Sequence, residues 1–405
     1  MPMEKVQEKH SSPLTPSLSR KTALLFAVAS GLSVANIYFA QPLLDAIAAE
    51  FGIRHSAVGI IITLTQVCYA AGLLLLVPLG DLLNRRRLIT GQMLLSVLAL
   101  LIVGTASSGI MLSIGIAGVG LLAVAAQTLV AFAASLASPA ERGRMVGLVT
   151  SGIVIGILLA RTFAGFLADV AGWRSVYLAS AGMTLLMAAA LYRVLPSVET
   201  AKKSLSYLNL IHSVFLLFAH ERILRVRAVL AFLIFTAFSI LWTSLVLPLS
   251  APPYSLSHTA IGAFGLAGAA GALAAAKAGR LADRGFSRHT TVIALSLLLL
   301  SWLPISRAEH SLFALAIGII VLDLAVQAVH VTNQSLIFKV QPEARSRLTA
   351  GYMIFYSLGS ASGSIASTQV YSYAGWNGVC LLGALVSVLA LVFALCSSRI
   401  RKDSR

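Results

Sequence analysis

Residues 139–144 read Pro-Ala-Glu-Arg-Gly-Arg, and the pair Gly172-Trp173 follows further along the chain. The same pattern returns 203 positions later without a gap, as Pro342, Arg345, Arg347, Gly375 and Trp376. An identical internal spacing of Pro, two Arg, Gly and Trp is not expected from two unrelated segments. The chain is therefore predicted to contain two copies of one structural unit.

The composition places both copies in a membrane. Of the 405 residues, 58% are hydrophobic and only 11% are charged, and the mean hydropathy of +0.90 excludes a soluble globular protein. A membrane span needs roughly 20 apolar residues. Twelve such stretches, called the first to twelfth spans below, lie at about 22–44, 56–79, 88–107, 111–136, 145–169, 175–194, 226–249, 258–278, 289–305, 311–337, 346–371 and 377–398. The predicted fold is an all-α integral membrane protein of two pseudo-symmetric six-helix bundles.

Basic residues set the predicted orientation. Most of the 30 Lys and Arg residues fall in the N-terminal tail, the even-numbered loops and the C-terminal tail, whereas Arg54, Arg174 and Arg307 lie in odd-numbered loops. By the positive-inside rule both termini are expected to be cytoplasmic. The net charge of +16 then reflects topology and attraction to anionic lipid rather than nucleic-acid binding.

Five regions follow from this pattern. The halves meet at a polar segment with an amphipathic stretch, Leu205 to Arg227, that is expected to lie along the membrane surface. The predicted regions are a disordered cytoplasmic tail 1–20, a first bundle 21–194, a linker with an amphipathic helix 195–225, a second bundle 226–398 and a tail 399–405. Cys68, Cys380 and Cys396 lie inside spans and suit neither a disulfide nor a metal site.

Two loops carry a related motif. Residues 279–288 read Gly-Arg-Leu-Ala-Asp-Arg-Gly-Phe-Ser-Arg, and residues 77–86 read Val-Pro-Leu-Gly-Asp-Leu-Leu-Asn-Arg-Arg. The later copy resembles the conserved loop of the major facilitator superfamily, while the earlier copy departs from it at Val77, Leu82 and Asn84. The resemblance implies a gate held by contacts to neighbouring helix ends. Its residues here are Gly80, Asp81, Arg85, Arg86, Gly279, Asp283, Arg284 and Arg288.

Two further segments resemble the same superfamily. The fifth span matches the antiporter signature at Gly156 and Gly165, but Ala160 and Arg161 replace its Gly-Pro pair. The pattern around Asn36, Tyr38, Gln41 and Pro42, together with Trp173-Arg174, looks most like the bacterial drug and sugar efflux branch. What the resemblance implies is a secondary transporter whose halves alternately expose a central site.

One face of the tenth span is polar. Asp323 is the single acidic residue near the middle of a span, and a buried carboxylate there indicates a functional site. A carboxyl group in apolar surroundings takes up a proton more easily than one in water, which suits proton coupling. At about 100° per residue, the same helix face carries Gln327, His330, Asn333 and Gln334. Asp323 could instead serve only to hydrogen-bond one helix to another. His330 could share the proton of Asp323, or it could be a polar residue whose hydrogen bonds are satisfied within the protein.

Arg161 is the only basic residue well inside a span, and its guanidinium stays charged. It must therefore face a cavity, a carboxylate or a substrate anion. We predict a contact between Arg161 and Asp323 across the central cavity, since these are the only deep charges and lie in different halves. A substrate that draws Arg161 away would let Asp323 take up a proton.

Weaker candidates complete the predicted site. Substrate contacts are expected from Arg161, Gln327, Asn333, Asn36, Gln41, Gln127 and Trp242, with further polar residues at Tyr38, Tyr352 and Tyr356. The leading hypothesis is proton-coupled efflux of a drug, sugar or metabolite by a monomer without cofactor or metal. Its partners are the small-molecule substrate, protons and membrane lipid. Proton-coupled uptake of a small organic anion and a non-transporting membrane sensor remain alternatives, while an enzyme is not supported by any catalytic spacing.

Overall fold

The computed structural model describes residues 20–137, 141–195, 206–268, 281, 284–341 and 345–399, and every regular element in these ranges is helical. The helices of the first half are Arg20–Tyr38, Leu44–Phe51, Ile60–Leu75, Arg85–Gly104, Gly109–Leu122, Ala125–Leu136, Arg142–Ala171 and Trp173–Val194. Those that follow are Tyr207–His220, Arg222–Ser244, Val246–Ser250, His258–Ala263, Ser287–Ile305, Leu312–Phe338 and Arg345–Arg399. Short 3-10 helices lie at Gln41–Leu43, Val77–Asp81 and Phe264–Ala267.

Ten helical segments of the described chain are long and apolar enough to cross a membrane. They account for the twelve predicted spans because the eleventh and twelfth form one continuous run and about half of the eighth, residues 269–278, falls outside the described residues. Also outside them are residues 1–19 and 400–405 of the predicted tails and residues 196–205 of the predicted linker.

The sequence repeat marks the same turn in each half. Gly172 separates the fifth and sixth spans at φ 79°, and Gly375 separates the eleventh and twelfth at φ 59°. A positive φ is unfavourable for residues with a Cβ, so Gly is required at this sharp reversal. The Trp that follows is buried in each case, and the indole of Trp376 donates a hydrogen bond to the Ile305 carbonyl at 2.9 Å. The repeated Gly-Trp pair therefore closes one helix and fixes the start of the next.

Interruptions in three spans bring polar groups to the middle of the protein. The first span ends its long helix at Tyr38 and continues as the 3-10 turn that begins at Gln41 and contains Pro42. The fourth span is divided between Leu122 and Ala125. The seventh is divided at Leu245, just after Trp242. Gln41 lies at the break in the first span, whereas Trp242 lies in the last turn of the helix that precedes the break in the seventh.

The linker helix is shorter than the sequence predicted. Instead of one amphipathic stretch from Leu205 to Arg227, the chain forms a helix Tyr207–His220 and begins the seventh span at Arg222. Arg225 donates to the last carbonyls of the linker helix, including that of Phe218 at 2.6 Å, and thereby ends it. At the other end Tyr207 donates to the Leu75 carbonyl at 2.8 Å. The helix thus contacts the second span and leads into the seventh.

Among the described residues, several hydrogen bonds join the two halves at one end of the bundle. Each loop is numbered by the span that precedes it. We call the end with the odd-numbered loops the odd-loop end and the opposite end the even-loop end. In the second and eleventh spans, Thr63 donates to the Ala361 carbonyl and Ser364 to the Gly59 carbonyl, both at 2.9 Å. In the fifth and eighth spans, Thr162 donates to the Gly262 carbonyl at 3.1 Å. These contacts hold the odd-loop end closed.

Candidate functional site

Arg161 lies in an aromatic enclosure built by both halves. The side chain is 3% exposed, and its Nε donates to the Oε1 of Gln41 at 2.7 Å. Its guanidinium carbon lies 3.9 Å from the ring centroid of Trp242, with Tyr38 at 5.0 Å and Phe238 at 5.6 Å. Aromatic faces attract cations, and more strongly where water is excluded. The enclosure therefore stabilises a charge that could not otherwise be buried.

Trp242 joins this cation to the buried acid. Its indole N–H donates to Oδ1 of Asp323 at 3.2 Å, while its ring face contacts Arg161. Asp323 is 5% exposed, and it does not belong to the ion pairs that the described residues form. The direct contact predicted between Arg161 and Asp323 is thus replaced by an indole between them. We call Arg161, Trp242 and Asp323 the central layer.

One donor of the central layer has no partner. The Nη2 of Arg161 is fully buried, and no hydrogen bond to it is found within the described part of the chain. Leaving a buried charged donor unsatisfied is costly, in the range of 1–3 kcal/mol or more. Such a group is suited to bind an acceptor on a ligand.

Glycines of the eighth span border the same layer. A Cβ at Gly268 would lie 3.1 Å from Oδ2 of Asp323, and one at Gly265 would lie 3.1 Å from Cβ of Arg161. At Gly262 it would lie 2.3 Å from the Arg161 carbonyl oxygen, which is too close for any side chain. The small-residue face of this span is therefore needed for its backbone to approach both charged residues. Gly271, on the same face, lies outside the described residues.

Tyrosines form a second connection between the halves. The hydroxyls of Tyr38 and Tyr356 share a hydrogen bond between the first and eleventh spans. His330 shares a hydrogen bond of 2.9 Å with the Tyr352 hydroxyl, and its ring packs edge-on against Phe235. The hydrogen bond of His330 is thus made to Tyr352 and not to Asp323, as expected for the second of its two predicted alternatives, a satisfied polar residue.

The remaining predicted substrate contacts are dispersed. Asn333 donates to Tyr352 at 3.5 Å and accepts from Arg227 at 3.2 Å. Asn36 accepts from Ser180 of the sixth span at 2.7 Å. Gln127 donates to Tyr69 at 3.5 Å. The other two are Gln327, which is half-buried, and Gln41, which contacts Arg161. Of the predicted substrate contacts, Arg161 and Trp242 are members of the central layer, and Gln41 forms a hydrogen bond with Arg161.

Sequence reasoning missed a polar cluster at the odd-loop end. His258 at the start of the eighth span contacts Asp169 through Nδ1 at 2.9 Å and Asp45 through Nε2 at 3.2 Å. Asp169 also accepts from the backbone N–H of His258 and of Thr259, at 3.1 and 2.8 Å. A first-half carboxylate therefore caps a second-half helix. We call Asp45, Asp169 and His258 the odd-end clasp.

The gating motif at the even-loop end is described in part. Arg85 donates through Nε to the Gly80 carbonyl at 2.9 Å and through Nη1 to Ser135 at 2.5 Å. The guanidinium of Arg86 lies 4.3 Å from the ring centroid of Tyr192. These contacts stay within the first half. Arg284 and Arg288 are exposed, while Gly279, Asp283 and the side chain of Asp81 lie outside the described residues.

Comparison with known proteins decides the family. Residues 26–284 and 227–404 both match the model of the Major Facilitator Superfamily. The chain belongs to the Major Facilitator Superfamily. It is 50% identical over 384 residues to YgaY of Escherichia coli K12, a protein named as an uncharacterized transporter, covering 95% of this chain and 96% of that one. A protein of Streptomyces coelicolor named as a transporter, SCO4007, is 33% identical over 366 residues, covering 90% and 85%.

Solved structures agree on the fold. A bacterial homologue of the human lysosomal transporter Spinster, in an inward-facing and unoccupied conformation, superposes with a TM-score of 0.74 at 15% identity. The match covers 93% of this chain and 96% of that one. The predicted fold class is therefore confirmed, and the protein is a multi-pass membrane transporter of the major facilitator type.

Within this superfamily fold, the sequence alone pointed to the two deep charges, and it named Gln41, Tyr38 and Trp242 as candidates without placing them beside Arg161. Arg161 and Asp323 stand out because each is the only charge of its sign in the middle of a span. Phe238 gave no such signal, since a Phe in a membrane helix is ordinary. The odd-end clasp could have been suspected from two acidic residues at span ends and a His at the start of another span on the same side.

Proposed function

We propose that the protein is a secondary transporter that moves a small organic solute across the bacterial inner membrane, coupled to protons, and that export is its direction. The observation that carries this proposal is the central layer, in which one half supplies a buried cation and the other a buried acid. Rocking of the two halves would change the distance between these groups. The resemblance of the first and fifth spans to the efflux branch supports export.

Asp323 is the proton-carrying residue in this proposal. In its charged form it is stabilised by the indole N–H of Trp242 and by the positive charge on the far side of the ring. In its neutral form the carboxyl group can remain in an apolar surrounding without a counter-ion. A solute that competes for the Trp242 donor or for the carboxylate would therefore change the proton occupancy of Asp323.

The structure supports access from the even-loop end. Contacts of the second span with the eleventh and of the fifth with the eighth close the other end. With the positive-inside orientation, the even-loop end faces the cytoplasm. A solute for export would enter the protein in this state.

Uptake of an organic anion by symport is the second candidate, and the unpartnered Nη2 of Arg161 favours it. An anionic group that binds this donor would compensate the charge of Arg161 and weaken its attraction for Asp323. Asp323 would then gain a proton together with the anion. Export by antiport predicts the opposite, because solute and proton compete.

The proposal is tested in inside-out vesicles with an imposed pH gradient. Drugs, sugars and organic acids are added singly to vesicles containing wild type, Asp323→Asn or Glu309→Gln. Glu309 is an exposed acid in the loop before the tenth span and serves as the matched control. A compound that dissipates the gradient with wild type and Glu309→Gln, but not with Asp323→Asn, is the expected result. Equal dissipation by Asp323→Asn would overturn the assigned role.

A further inference from the structure

A basic cavity lies at the even-loop end of the second half, away from the central layer. It has a volume of about 470 Å³ and is formed by the ends of the seventh, ninth, tenth and twelfth spans. Its cationic side chains come from three of these spans and are Arg222, Arg227, Arg288 and Lys339. None of the described residues that line the cavity is acidic.

One of the four cationic side chains is held in place by a hydrogen bond, and the other three are exposed. Arg227 is half-buried, and its Nη1 donates to Asn333 at 3.2 Å, which orients the side chain from the seventh span toward the tenth. Arg222, Arg288 and Lys339 are exposed around it. Four cationic side chains on one concave surface give it a positive potential that attracts an anion.

A helix N-terminus adds to this charge. The 19-residue helix of the ninth span begins at Ser287, and the preceding Phe286 provides no side-chain cap. Ser287, Arg288 and Thr291 of its first turns line the cavity. The N-terminal end of a helix carries a partial positive charge that favours phosphate groups.

Most of the remaining lining, apart from Gly285 and Ser397, is apolar. Ile223, Val226, Leu230, Val292, Leu336 and Ala394 form this part. Phe286, which precedes Ser287 in the chain, is 52% exposed, and Val392, two residues before Ala394, is 50% exposed. Exposed apolar side chains of this size are expected to face lipid in a membrane protein. The cavity therefore has a cationic part at the headgroup level and apolar walls below it.

We propose that this cavity binds the headgroup of an anionic phospholipid, with the acyl chains along the apolar walls. Phosphate supplies the recognised charge, as basic pockets between membrane helices on the cytoplasmic side suit such headgroups. The lipid would tie the seventh span to the ninth, tenth and twelfth. The site depends on the predicted orientation but not on proton coupling.

Its test uses purified full-length protein and native mass spectrometry, which counts bound lipids. Phosphatidylglycerol and phosphatidylcholine are offered at equal concentration to wild type, to Arg222→Gln/Arg288→Gln and to Arg87→Gln/Arg193→Gln. The control pair removes two exposed charges at the same end of the first half. We expect wild type to retain phosphatidylglycerol at least fivefold more than phosphatidylcholine. The Arg222/Arg288 variant should lose most of this preference, and the control variant should keep it.

Thermal unfolding gives a second readout that separates a lipid from a soluble anion. Phosphatidylglycerol should raise the melting temperature of wild type, and the Arg222/Arg288 variant should lose at least half of that increase. Glycerol phosphate at millimolar concentration should neither reproduce nor abolish the effect. Equal lipid retention by both double variants, or full replacement of the lipid by glycerol phosphate, would overturn the proposal. Neither readout requires transport, so a failure of proton coupling would leave the result interpretable.

Discussion

At the scale of single residues, Trp242 combines two roles in the central layer. Its ring face lies against the Arg161 guanidinium, and its edge donates to Asp323. A Phe would keep the first contact and lose the second, whereas an aliphatic residue would lose both. Cation–π contacts are worth about 0.5–2 kcal/mol depending on how dry the site is, so the two losses can be measured separately.

We therefore predict a graded loss in transport. Trp242→Phe should reduce solute-driven proton flux a few-fold by removing the donor to Asp323. Trp242→Leu should reduce it about tenfold or more, since it also removes the aromatic face from Arg161. The measurement is the initial rate of gradient dissipation at matched protein content. Equal rates for wild type and both variants would show that the indole is not part of the coupling.

The sequence could predict the two deep charges but not what lies between them. Asp323 and Arg161 are recognisable because a charge in the middle of a span is rare. Which aromatic ring separates them depends on the rotation of the seventh span relative to the fifth. That rotation is set by packing between the halves and leaves no local pattern around Trp242.

At the scale of helices, close approach in each half depends on glycine. A Cβ at Gly156 would lie 2.3 Å from the Gly31 carbonyl oxygen, and one at Gly359 would lie 2.2 Å from that of Phe232. Gly156 and Gly359 are related by the same 203-residue offset as the Gly-Trp pair. The first span thus packs on the fifth as the seventh packs on the eleventh. Small residues allow such contacts in membrane helices.

Two Gly→Ala substitutions can distinguish the effect of this close helix contact on stability from the effect of helix propensity. Gly359→Ala would force the seventh and eleventh spans apart, at a cost of about 1–3 kcal/mol for an overpacked contact. Gly182→Ala in the sixth span is the control, because its Cβ would meet nothing within 4 Å. Thermal unfolding in detergent should show a lower melting temperature for Gly359→Ala and an unchanged or higher one for Gly182→Ala. The reverse order would contradict this packing.

Element boundaries were only partly predictable. The twelve apolar stretches followed from hydropathy, since lipid requires long apolar helices. Pro42 is a visible signal for the break in the first span. The break at Leu245 and the end of the linker helix were not predicted. Arg225 ends the linker helix through contacts with carbonyls of residues that precede it by six or seven positions. Such a contact is available to any Arg near a helix end and is not distinctive in sequence.

At the scale of the whole molecule, the odd-end clasp joins the halves where they are closed. His258 contacts one carboxylate at the end of the fifth span and another just after the first. Contacts of this kind contribute about 0.2–1 kcal/mol each when partly exposed. The clasp therefore biases the protein toward the state with the odd-loop end closed without making that state permanent.

Loss of the clasp should increase access from the odd-loop end. Ser364 is fully buried at this seam, and Ser364→Cys reports opening in a background without the native cysteines. His258→Asn should raise its labelling rate by a membrane-impermeant maleimide a few-fold, whereas His289→Asn, at an exposed position of the other end, should not. Equal labelling rates in the two variants would show that the clasp does not control closure.

The central claim is that Asp323 holds the proton that is coupled to solute movement. Its most direct test is the proton change, followed with a pH indicator, when a transported solute is added to purified protein in weak buffer. Wild type should release protons if the solute is exported by antiport, or take them up if an anion enters by symport. Asp323→Asn should bind the solute with no proton change. A proton release or uptake in Asp323→Asn equal to that of wild type would contradict the account.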